Sequence, residues 1–173
     1  TFEEREAPAY DEAAVQRAQK LAQKKPFSGC PGMRAKQFQR STAPAAGAAC
    51  PSQLSQWPVQ IKLAGVMAPY FDDADLLIAA DCTAYAYGNF HEKFIRGRIT
   101  LIGCPKLDAV DYAEKLTAIF AAHSIRSVTV ARMEVPCCGG IEQAVQRAIA
   151  ASGKDISCHV TVIGTDGTIQ EER

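Results

Sequence analysis

Downstream of residue 54, short apolar runs alternate with stripes of helical spacing. DLLIAAD (75–81) and ITLIG (99–103) are almost continuously apolar, as expected of strands buried on both faces of a parallel sheet. SVTVARMEV (127–135) and HVTVIGTDG (159–167) read as two more strands, and VQIKLAG (59–65) as a fifth. Between them, AYGNFHEKFI (86–95) predicts a short helix. DAVDYAEKLTAIFAAHS (108–124) predicts a longer one, capped by Asp108, with Val110, Ala113, Leu116 and Phe120 turned inward. GGIEQAVQRAIAASG (139–153) predicts a third helix, stopped by Gly153. Strands that alternate with helices imply an α/β fold of three layers. Its sheet would be mainly parallel, of about five strands, with right-handed crossovers and flanking helices.

The upstream pattern differs. Residues 1–9 read as extended. DEAAVQRAQKLAQKK, beginning at Asp11, carries Val15, Ala18, Leu21 and Ala22 on one stripe and predicts a helix that Pro26 ends. PFSGCPGM is turn-rich and holds Cys30. STAPAAGAACPSQ (41–53) has the composition of a flexible linker, with Cys50 an incidental thiol inside it. The predicted organisation is an N-terminal helical extension (1–40), a linker (41–53) and an α/β domain (54–173). The first residue is Thr1 rather than Met, which predicts a fragment or a cleaved product.

Charge narrows the partners. The 173 residues carry 19 basic and 19 acidic side chains, so no basic surplus points to nucleic acid or to an anionic membrane. No apolar run reaches the ~18 residues of a spanning helix. The acidic start TFEEREAPAYDE does not resemble a signal peptide. Seven cysteines, an odd number at irregular spacing, predict a reducing, cytoplasmic setting with thiols kept for metal or redox chemistry.

Three of the predicted strands run straight into cysteine: LLIAADCT into Cys82, ITLIGCPK into Cys104, and VARMEVPCCGG into Cys137 and Cys138. Open α/β sheets bind ligands beyond the carboxyl ends of their strands. If these strands are neighbours, a spacing of ~4.8 Å per strand brings the thiols to one site. Pro105 and Pro136 stiffen the loops. Gly139 and Gly140 open a helix whose N-terminus favours thiolate at Cys137 and Cys138. His91 and Cys30 compete to be a further ligand. Adjacent cysteines diverge, so one of Cys137 and Cys138 is expected to bind and the other to lie behind it.

Around these thiols, Asp81 is placed to orient a ligand, and Lys106 and Asp108 flank Cys104. Arg132 and Glu134 read either as facing the site or as a cross-strand pair. Tyr85, Tyr87 and Phe90 read as covering the site or packing in the core, with core packing preferred. His123, His159 and Cys158 read as structural. Three chemistries remain open at this level: an iron–sulfur cluster, zinc held by Cys and His, or a metal-free thiol centre or interaction module. No residue is singled out as catalytic, and oligomeric state stays open.

The motifs AADCTAYAYGNFH, LIGCPKLD and EVPCCGG, within a stretch of roughly 54–170, resemble the C-terminal domain of ferredoxin-type iron–sulfur proteins of anaerobic bacteria. There a two-cluster ferredoxin module precedes this domain, and TFEERE resembles the strand leaving that module. The resemblance implies a 4Fe-4S cluster, an electron-transfer role and a ferredoxin module or redox protein as partner. No CxxCxxC motif occurs here, and the family's Cys-Gly-Cys-Pro-Gly is Ser28-Gly29-Cys30-Pro31-Gly32. Cys104 and Cys137-Cys138-Gly139 also resemble half of the CCG domain of heterodisulfide-reductase-type proteins.

Overall fold

A computed structural model of the protein describes residues 36–37 and 51–173, all within the unit Gly32–Arg173. The expected N-terminal helix, the turn at Cys30 and the thiol at Cys50 lie outside the described residues. Strand β1 (Lys36–Gln37) pairs antiparallel with β2 (Gln56–Trp57). The main sheet has five strands: β3 (Ala74–Ala80), β4 (Ile99–Gly103), β5 (Ile125–Met133), β6 (Ser157–Ile163) and β7 (Ile169–Glu172). Their order is β4-β3-β5-β6-β7. The first four strands are parallel, and β7 returns antiparallel along β6.

This order places the layers. From β3 the chain steps to one side to make β4, then passes back over β3 to make β5. Right-handed crossovers therefore put the two connections on opposite faces. Helices α2 (Tyr112–Ala122) and α3 (Gly139–Ser152) lie side by side on one face. Their Leu116, Ile119, Phe120, Ile141 and Val145 pack with Leu76, Ile78, Leu101, Val128 and Val162 of the sheet. On the second face, Phe90, Phe94 and Ile95 cover Leu77, Ala79, Ala131, Met133 and Ile163. The alternation along β3 is thus buried on both sides, which is why its sequence is almost wholly apolar.

Four expectations are corrected. Residues 59–65 form turns, not a strand. Ile61 and Ala64, three apart, are the buried positions, and the Leu63 and Ala64 amides donate to the Gln60 carbonyl at 2.9 and 3.0 Å. Only Gln60 bridges to Ile102. The helix expected over 86–95 is interrupted around Gly88 into α1 (Thr83–Ala86) and a π-helical turn (His91–Ile95). Helix α2 is capped by Asp111, which accepts from the Ala113 amide at 2.9 Å. Asp108 instead accepts from the Tyr112 hydroxyl, because Ala109 takes a φ of 48° and breaks the helical run; Val110 is exposed. Finally, β7 was not anticipated, since IQEE is too polar to read as a strand.

A candidate thiol rim at three adjacent strand ends

The strand order makes β4, β3 and β5 neighbours. Their carboxyl ends deliver Cys104, Cys82 and Cys137–Cys138 to one rim, with Cys82 in the middle. The chain reverses its direction of winding between β3 and β5, and that reversal opens the crevice in which open α/β sheets hold ligands.

Each cysteine sits in a different setting. Cys82 is exposed and leads into α1; its carbonyl accepts from the Tyr85 and Ala86 amides at 3.2 and 3.0 Å. Cys104 is half-buried, and its carbonyl accepts from the Leu107 and Asp108 amides at 3.1 and 3.0 Å. Cys137 and Cys138 lie in a 3-10 turn (Pro136–Cys138) that runs directly into α3. Cys137 is exposed. Cys138 is 5% exposed and packs into the second-face core.

The helix dipole does not govern Cys138. Burial pushes its thiol up, against a hydrogen bond from the Met133 backbone, and the neighbouring Cys137 and Cys82 push the same way. The two sides of the rim are pinned together by α3: a Cβ at Gly140 would stand 3.1 Å from the Pro105 Cβ. Glycine there lets the start of the helix close onto the Cys104 loop.

Next to Cys82 in the chain, Asp81 lies near a second acid, Asp108. One Asp81 carboxylate oxygen is buried without a hydrogen-bond partner, and burial together with nearby Asp108 pushes that carboxyl up. The Tyr112 hydroxyl is also pushed up, by burial and then by its bond to Asp108.

Other expected participants are engaged elsewhere. The His91 Nδ1 accepts from the Gln53 amide at 3.1 Å, so the neutral ring carries its proton on Nε2. Neither nitrogen then offers a lone pair without breaking that arrangement. Arg132 donates to Glu142 at 2.7 Å, and Glu134 accepts from the amide and hydroxyl of Thr165 at 2.8 and 2.9 Å; they are neither a cross-strand pair nor part of the rim. His123 bridges Asp72 and the Val66 carbonyl at 2.7 and 2.8 Å. Cys158 and His159 start β6, at the other end of the sheet. Tyr87 and Phe90 pack against Phe94. Tyr85, expected in the core, is 94% exposed beside Cys82, and Leu107 is 80% exposed beyond Cys104. Among the described residues, no three His, Cys, Asp or Glu side chains converge as a group that could hold a metal ion. The topology gathers the thiols on one rim; their side chains do not point to a common centre.

A family model described as a Rossmann-like domain matches residues 68–173. The chain belongs to this Rossmann-like family. A protein of Archaeoglobus fulgidus, named only "Uncharacterized protein", is 28% identical over 118 residues, covering 68% of this chain and 84% of that one. No solved structure matches. These matches establish the Rossmann-like fold; they add no support for the ferredoxin-type or CCG resemblance. In dinucleotide-binding folds of this architecture the turn after the first strand of the sheet carries a glycine-rich phosphate loop. Here that turn reads Asp81-Cys82-Thr83-Ala84-Tyr85, without glycine. No described helix is long and apolar enough to cross a membrane.

Proposed function

We propose that this Rossmann-like domain is a redox module that binds an iron–sulfur cluster, of the 4Fe-4S type, at its thiol rim and exchanges electrons with a ferredoxin module or another redox protein. One observation carries the reading: three adjacent parallel strands end in Cys104, Cys82 and Cys137 around the reversal crevice. Thiolates are the ligands that such clusters require. Cys82, Cys104 and Cys137 have partly or fully exposed thiols and supply the first three ligands. Cys138, buried behind Cys137, would supply the fourth. Side-chain rotation on the short loops would be needed to bring the thiols onto a shared centre. The exposed Tyr85 and Leu107 beside the rim offer apolar area to a docking partner.

The test is anaerobic purification of the full chain, with iron and sulfide analysis and an absorption spectrum. Broad absorbance near ~400 nm with stoichiometric iron is expected, and Cys104→Ser should abolish it. Colourless protein with one equivalent of zinc would replace the cluster by a zinc site. Unchanged metal content in Cys104→Ser would remove the rim as the binding site.

The free thiols at adjacent strand ends favour a second reading, a metal-free dithiol. Two of these thiols would give up two protons and two electrons to a partner disulfide and close a disulfide of their own. Metal-free protein from strictly anaerobic preparation, with thiols that oxidise reversibly as a pair, would select it.

A further inference from the structure

The second face of the sheet is covered by the π-helical turn only in part. Toward the middle of β5 and β6 it changes from apolar to polar, and a cleft of about 390 Å³ opens there, lined among others by Lys93, Arg98, Thr129, His159, Thr161 and Glu172. Register places these side chains together. Thr129 lies opposite His159 in the parallel pair, and Thr161 opposite Glu172 in the antiparallel one.

A bare, solvated sheet face would leave its threonines exposed. Here Thr129 is 8% exposed and Thr161 5%. Both are largely covered by their surroundings, and both line the cleft. Two recessed hydroxyl side chains therefore belong to the wall of the cleft. Lys93 stands at its mouth, paired with Glu172 at 2.9 Å. Arg98 uses one terminal nitrogen to hold the Lys93 and Phe94 carbonyls, at 3.2 and 3.0 Å, which fixes its guanidinium in place and leaves other N–H groups to offer.

We propose that this cleft binds a small molecule through an oxyanion, a carboxylate or a phosphate. The hydroxyls of Thr129 and Thr161 would donate to its oxygens, Arg98 and Lys93 would supply the countercharge, and His159 would close the rim. A cleft of this volume is within the range of small-ligand sites. The binding chemistry is that of hydroxyl and guanidinium donors around an acceptor-only group. The cleft lies in mid-sheet and uses no cysteine, so it stands whether or not the thiol rim holds a metal.

The experiment is an NMR titration of the full chain, following backbone amides, with sodium phosphate and separately with sodium succinate, each against sodium chloride at equal ionic strength. Saturable shifts centred on Thr129, His159 and Thr161 are expected with at least one probe, and the probe that saturates distinguishes phosphate from carboxylate. The double variant Thr129→Val/Thr161→Val should weaken binding ~10-fold. Lys93→Gln, at an exposed position, should weaken it too. Absence of saturation with both probes would overturn the proposal. So would shifts that persist unchanged in these variants, which would indicate only diffuse attraction of anions.

Discussion

Gly167 sits in the turn between β6 and β7 with a φ of 83°, and a Cβ there would run into the Ala86 carbonyl oxygen. Both facts require glycine, and together they tie the last turn of the sheet to the end of α1, directly after Cys82. Gly167→Ala is expected to cost about 1–3 kcal/mol of stability, measurable by urea unfolding. A negligible change would mean that the turn and α1 do not bear on each other. In the sequence, Asp166-Gly167 reads as a turn, but nothing local names Ala86 as its contact. The same holds at the rim. The position of each cysteine after a strand was evident from the residues themselves. The burial of Cys138 and the exposure of Tyr85 depend on what packs above them. His91, read as a candidate metal ligand, is held by the backbone of Gln53, 38 residues earlier.

At the scale of elements, β3, β4, β5, β6 and α3 lie within a few residues of the sequence reading, because each carries a clear period or a continuous apolar run. Helix α2 shows where such reading fails. Both Asp108 and Asp111 are good caps by residue type, and the choice is made by the left-handed backbone at Ala109 and by the bond from the Tyr112 hydroxyl to Asp108. Asp111 also pairs with Arg147 of α3 through two contacts of 2.9 Å. Asp111→Ala should therefore lower the melting temperature by a few degrees. Asp111→Asn, which keeps the cap and loses only the ion pair, should lower it less. Equal losses in thermal melts would show that the ion pair, not the cap, matters. The segment 59–65 and strand β7 failed for a related reason. A buried period of three looks like alternation over so few residues, and an edge strand can be polar because one of its sides faces water.

At the scale of the whole molecule, Glu142 of α3 joins three parts of the fold: it accepts from Arg132 of β5 at 2.7 Å and from Arg173, just past β7, at 2.6 Å. Burial alone would raise its carboxyl, but the hydrogen bonds from Arg173 and Arg132 outweigh that and hold it below the ordinary value. Folding thus favours the ionised form. The stabilisation is full above the unfolded-state value of about 4.3 and fades as pH falls through the lower folded-state value. Glu142→Gln should cost about 2 kcal/mol at pH 7 and should flatten stability against pH below about 4.5. An unaltered acid limb in unfolding curves from pH 3 to 7 would refute this. By itself, the sequence determined the α/β class, most element positions and the placement of thiols after strands, because these follow from local periodicity and chain order. Only the tertiary structure decided that β4, β3 and β5 are neighbours, that Cys138 faces the core while Cys82 and Cys137 face outward, and that a polar cleft opens on the second face. Strand order and side-chain burial are set by contacts between residues far apart in the chain, and no local pattern encodes them.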